Sequence, residues 1–123
     1  MTRNDAEKFA REWVAHWNRR DVEAVLAHYA DDAVFYSPKA VTIVGKPRVA
    51  GKSELRDYWV RALAQVGALS FELDHVGFDA DGREIFIVYR AKIDGREVRA
   101  CERLRFDASG SVTDAEGLYG APV

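Results

Sequence analysis

Residues 98–106, Val-Arg-Ala-Cys-Glu-Arg-Leu-Arg-Phe, alternate between apolar and polar side chains with a period of two. That period belongs to a β-strand with one wet face and one buried face, and the buried face requires a second layer to cover it. Val98, Ala100, Leu104 and Phe106 share the apolar side; Arg99, Cys101, Arg103 and Arg105 share the other. Glu102 falls on the apolar side. A carboxylate there loses several kcal/mol of hydration unless it is paired, hydrogen-bonded or kept protonated. Glu102 is therefore either a neutralised structural group or the working group of a pocket.

The covering layer is encoded upstream. Ala6, Phe9, Ala10, Trp13, Val14 and Trp17 follow the i, i+3, i+4 spacing of one helical face, and Asn4 with Glu7 fits a capping box. Asp21 caps a shorter second helix that buries Val22, Val25, Leu26 and Tyr29. Residues 33–37 read as a short strand closed by Pro38. Residues 38–52, with Gly45, Pro47 and Gly51, read as a long connection of the kind used as a lid, with a short extended piece at 41–44. A third amphipathic helix starts at Ser53, buries Leu55, Tyr58, Trp59, Ala62, Leu63 and Val66, and ends near Gly67.

After Gly67 the period changes from 3.6 to 2. Strands at about 69–78, 84–93, 96–107 and 112–119 are separated by Asp81-Gly82, Asp94-Gly95 and Ser109-Gly110, which are turn signals. Three helices followed by an antiparallel meander predict an α+β fold, with the helices packed on one face of a curved sheet. At 123 residues the chain fits one domain, residues 1–123, large enough to bury a core. Along the first long strand Leu69, Phe71, Leu73 and His75 line up, which would bring His75 to Glu102 inside or at the rim. In the last strand Ala115, Gly117 and Tyr119 share a face. Small residues at Ala91, Ala100, Ala115 and Gly117 would leave space between sheet and helices, walled by Trp13, Trp17, Trp59 and Tyr119.

Nearly the whole chain, in order, carries a resemblance to a known family. Its residues are Trp17-Asn18 with Asp21, the run Tyr29 to Phe35, Ser37-Pro38, Gly51 through Tyr58-Trp59, and Leu104 to Gly110. On them the sequence resembles the nuclear transport factor 2-like superfamily, in particular its SnoaL-like and ketosteroid-isomerase-like members. The resemblance implies a cone-shaped roll of three N-terminal helices on a strongly curved, mainly antiparallel sheet. It also implies a central pocket and, often, a homodimer through the sheet's outer face. Position by position, Glu102 falls where the isomerases keep a protonated acid that donates a hydrogen bond. Trp13 stands at the position of their tyrosine donor and Ser37 at that of their general base. A serine cannot act as that base, so the resemblance implies another reaction, or plain binding, in a similar pocket.

Two readings of function follow. In one, the chain is an isomerase, cyclase or dehydratase acting on a small apolar carbonyl or hydroxyl compound, with Glu102 and His75 as the proton-transfer pair. Trp13, Trp17, Ser37, Tyr58, Trp59, Phe71 and Tyr119 would then contact the ligand. In the other, it is a non-catalytic module that binds a ligand or dimerises. The 18 basic and 20 acidic residues are interspersed, which argues against nucleic-acid or anionic-membrane partners, and the arginine face reads as mixed-charge sheet or dimer interface. Gly45 to Ser53 misses the phosphate-loop spacing, and His16, His28 and His75 lack ligand spacing, so neither a cofactor nor a metal is expected. One cysteine, with no apolar run of membrane-span length and no signal-like N-terminus, points to the cytoplasm.

Overall fold

The computed structural model describes residues 1–123. Helix α1 spans Arg3–Asn18 and buries Ala6, Ala10, Trp13, Val14 and Trp17 along one stripe. Its capping box is formed by Thr2 and Asp5, not by Asn4 and Glu7: the Thr2 hydroxyl accepts from the Asp5 amide, and the Asp5 carboxylate accepts from the Thr2 amide. The same spacing occurs two residues earlier than expected, and the helix gains half a turn. Helix α2, Val22–Leu26, is capped by the Asp21 carboxylate at the Ala24 amide, as the sequence indicated.

The 38–52 connection is more ordered than a loop. Ser37 and Pro38 open a helix, α3 (Pro38–Val44), in which the Ser37 hydroxyl accepts from the Lys39 amide and Gly45 closes the last turn at φ 84°. Residues 41–44 are thus helical, not extended, because a serine cap followed by proline at the first helical position is a strong start signal. A short strand, β2 (Arg48–Ala50), follows, and helix α4 runs Lys52–Ala64. The first strand, β1, is longer than the sequence suggested, at Tyr29–Tyr36. A register irregularity between Tyr29 and Val34 accommodates the exposed Asp31 and Asp32.

Strands β3 (Leu69–Asp79), β4 (Glu84–Ile93), β5 (Arg96–Phe106) and β6 (Val112–Pro122) form the meander. The curved, unclosed sheet has the order β2-β1-β6-β5-β4-β3; every pairing is antiparallel except β1 with β6. The fold is therefore the expected α+β roll, with a fourth helix. On β5 the alternation holds: Ala100, Glu102, Leu104 and Phe106 are buried, and the arginines lie on the outer face. No helix is long and apolar enough to cross a membrane.

Two polar clamps fix the helices against the sheet edge. The Asn18 side chain donates to the Phe71 carbonyl at 3.0 Å and accepts from the Phe71 amide at 2.7 Å, so the end of α1 adds one rung to the outer edge of β3. The Arg20 guanidinium donates to the carbonyls of Leu63, Val66 and Gly67, at 3.3, 3.1 and 2.9 Å, and so supplies donors to carbonyls at and just beyond the end of α4. From the other side Asp94, in the β4–β5 turn, accepts from the Gly67 and Ala68 amides. Replacing Arg20 by Ala should cost about 1–3 kcal/mol in urea unfolding. Arg20→Lys should recover only part of that loss, because an ammonium lacks the fork that reaches three carbonyls. Equal stability of all three proteins would show that the clamp is not needed.

Candidate functional site

Between the concave face of the sheet and helices α1, α3 and α4 lies a cavity of about 400 Å³, lined mainly by apolar side chains. Its walls are aromatic. Trp13 stacks on Phe71 at 5.8 Å and meets Tyr89 edge-on at 5.1 Å, while Trp17 meets Trp59 edge-on at 5.1 Å. Phe35 meets the far side of Trp59 at 5.6 Å. Such edge-to-face packing fixes each ring by its neighbours and leaves a stiff wall.

Glu102 opens onto this cavity from the middle of β5, only 5% exposed. No protein group hydrogen-bonds its carboxyl. Burial raises its pKa to about 8; Arg103 pulls the other way and does not offset it, since that guanidinium lies on the opposite face of the sheet. There Arg103 is engaged by Glu84, Asp114 and Glu116 at 3.0, 2.5 and 3.6 Å. At neutral pH Glu102 is thus a carboxylic acid with an unspent O–H donor facing an apolar space.

The pleat and the register put tyrosines around it. Gly117 pairs directly with Glu102 across β5 and β6. A Cβ at Gly117 would come within 3.3 Å of the Tyr119 hydroxyl, so the glycine is what admits that hydroxyl beside Glu102. Burial and then the Glu102 carboxyl push Tyr89 and Tyr119 well above the ordinary phenol value. Burial also raises Tyr58, and the Ser37 hydroxyl works against the rise at both Tyr58 and Tyr119. These phenols are hydrogen-bond donors, not bases. Two further buried groups have no partner: the Trp17 indole Nε1–H, on a cavity-lining residue, and the Tyr29 hydroxyl.

Of the residues singled out from the sequence, Glu102, Trp13, Trp17, Tyr58, Trp59, Phe71 and Tyr119 line the cavity together. Ser37 is buried behind two of the tyrosines and caps α3 without lining the cavity. His75 does not join them. The β3–β4 register shifts between Leu73 and His75, and the shift moves His75 opposite Val88 on the outer face, where it is exposed. A bulge of one residue turns every later side chain over, so the strict alternation that placed His75 inside fails at Asp74, and Val76 takes the buried position instead. Phe35, Tyr89, Lys39, Thr42 and Ile43 also line the cavity. The period-2 pattern of β4 marks Tyr89 as inward, whereas Lys39, Thr42 and Ile43 come from the segment read as a loop. No three His, Cys, Asp or Glu side chains gather into a cluster suited to a metal ion.

Because Glu102 ionises more easily in the unfolded chain, near its ordinary value of 4.5, the folded form holds one more proton between pH 4.5 and 8. Stability is lost over that window as pH rises. At pH 7 the loss is roughly 3 kcal/mol. Glu102→Gln should therefore match the parent at pH 4.5 and exceed it by about that amount at pH 7 in urea titrations. A difference that does not change with pH would rule out a protonated Glu102.

Comparison with known proteins places this geometry. The family model described as a SnoaL-like domain matches residues 10–115. A SnoaL-like protein of unknown function from Burkholderia thailandensis is 34% identical, with 98% of each chain covered and a TM-score of 0.87. A steroid delta-isomerase from Pseudomonas aeruginosa is 26% identical over 94% of this chain and 80% of its own, with a TM-score of 0.70. SalBIII, an epoxide hydrolase/cyclase-like enzyme of pyran ring formation in salinomycin, shares the fold at 17% identity over 95% and 92% of the two chains, with a TM-score of 0.71. No curated protein is significantly similar in sequence.

Proposed function

The chain belongs to the SnoaL-like domain family, and we propose that within it this protein binds a small apolar carbonyl or hydroxyl compound against Glu102. The single observation that carries this reading is a buried, uncharged carboxyl with no protein partner, turned into an aromatic cavity. Its O–H would hydrogen-bond the ligand oxygen and stabilise negative charge as it develops there, in a largely apolar cavity. That chemistry serves isomerisation, cyclisation and dehydration alike. An isomerase and a cyclase-like enzyme among the proteins of similar fold accord with it.

Steroid isomerisation itself is not the activity we propose. Ser37 stands at the position of the general base in the ketosteroid isomerases, and a hydroxyl cannot do that work; Trp13 in place of their tyrosine donates a hydrogen bond but exchanges no proton. With His75 on the far face, Glu102 is the sole carboxyl or imidazole in the cavity interior. A single acid can polarise a bond while water or the substrate itself carries the second proton. The same shortage supports the second reading, a binding protein without turnover.

Glu102→Gln separates the two. With β,γ-unsaturated ketones and epoxides as trial substrates, a catalytic acid requires turnover by the parent and a loss of about 10²-fold or more in the variant. Binding measured by tryptophan fluorescence, with no turnover by the parent and affinity within a few-fold in the variant, would establish the binder. Unchanged binding and turnover together would make Glu102 structural and end both readings.

We also propose a homodimer through the outer sheet face. Val88, Cys101 and Leu118 align there across β4, β5 and β6, and Leu118 is 45% exposed. Leu118→Lys should convert a dimer to a monomer in analytical ultracentrifugation. A monomeric parent would dismiss the interface.

A further inference from the structure

The mouth of the cavity holds a cation that the chain does not neutralise. Lys39, in the first turn of α3, rests its ammonium over the face of the Tyr119 ring, 4.2 Å from the centroid. No carboxylate lies within salt-bridge distance of it, although nearby basic residues are paired: Lys46 with Glu54 at 2.8 Å and Arg61 with Asp57 at 3.2 Å. Asp94, the other charged lining residue, is already held by the Gly67 and Ala68 amides. Glu102, deeper in, carries no charge at neutral pH.

Tyr119 connects the two polar points. Its hydroxyl lies over Gly117, the strand partner of Glu102, and its ring face carries the Lys39 ammonium. Acid and cation thus meet different parts of one tyrosine side chain, its hydroxyl end and its ring face. Between them the walls are apolar, and the volume suits a molecule of ring size or somewhat larger.

We propose that the cavity is specific for an amphipathic anion, an apolar ring-sized body with an acceptor oxygen at Glu102 and a carboxylate at the mouth paired with Lys39. This rests on the reading of Glu102 as a ligand-binding acid and adds the charge of the substrate class. The pair forms at the rim of a low-dielectric cavity and over an aromatic face, where a charge-assisted contact counts for more than one in open water. The neutral state of Glu102 is what lets an anion enter, because an ionised carboxylate in the same cavity would repel it.

NMR chemical-shift titrations with 4-acetylbenzoate and its neutral counterpart 4-acetylbenzamide test this directly. Both carry a ketone oxygen one ring away from the second group. The parent protein should bind the acid about tenfold more tightly than the amide, with shifts in cavity residues. Lys39→Gln should remove that preference, and Lys39→Arg should keep it. Raising the salt concentration should reduce the preference in the parent alone. Equal affinity for the two probes in the parent, or a preference that survives in Lys39→Gln, would overturn the role of Lys39. If in that case both probes still shift Glu102 and its neighbours, the cavity reading stands without it. Absence of cavity shifts with either probe would overturn both.

Discussion

A carboxyl group that stays protonated near neutral pH needs mostly apolar surroundings, and here both layers of the fold supply them. Trp13 and Trp17 come from α1, Tyr58 and Trp59 from α4, Tyr89 from β4 and Tyr119 from β6. None of these elements touches Glu102 through a hydrogen bond. Their effect is to withhold water, and the shift at Glu102 follows from desolvation with no like charge beside it. The helices do more than cover the sheet: they set the protonation state of its one buried acid.

The opposite side of the same strand obeys the opposite rule. Arg103, one residue along, gathers Glu84, Asp114 and Glu116 around it, and Arg99 pairs with Asp74. These pairs lie on the outer face; Arg99 with Asp74 is largely exposed and contributes little by itself, whereas Arg103 and Glu84 are part-buried. Their arrangement counts against any slip of β5, because a shift of one residue would bury the arginines and expose the apolar row. Glu102 lies in the dry row between Ala100 and Leu104, both buried, so the same register keeps it inside.

The family fold supports different chemistry by exchanging a few residues around a shared cavity. The resemblance read from the sequence implies that Glu102 takes the place of the acid of the ketosteroid isomerases, and Ser37 and Trp13 those of their base and phenolic donor. Phenols whose pKa is pushed upward by burial surround Glu102, and a lysine waits at the mouth. A site built from donors, with no strong base, favours ligands rich in acceptor oxygen.

Much of this was readable in the chain itself. The alternation in β5 placed Glu102 on the dry face, the 3.6-residue stripes of α1 and α4 supplied the tryptophans, and the turn signals separated the four long strands. Those features depend on local periodicity, which a sequence displays directly. What only the tertiary structure decided were the places where periodicity is interrupted or absent. The bulge at Asp74 turned His75 outward; its mark in the sequence is a change of phase, from Leu69, Phe71 and Leu73 to Val76 and Phe78, which a reading with one uniform alternation passes over. Helix α3, too short to show a stripe, brought Lys39 to Tyr119, a contact between residues eighty positions apart. The unpartnered state of Glu102 was likewise invisible beforehand, since whether a buried acid finds a partner depends on which side chains the packed layers bring within reach of it.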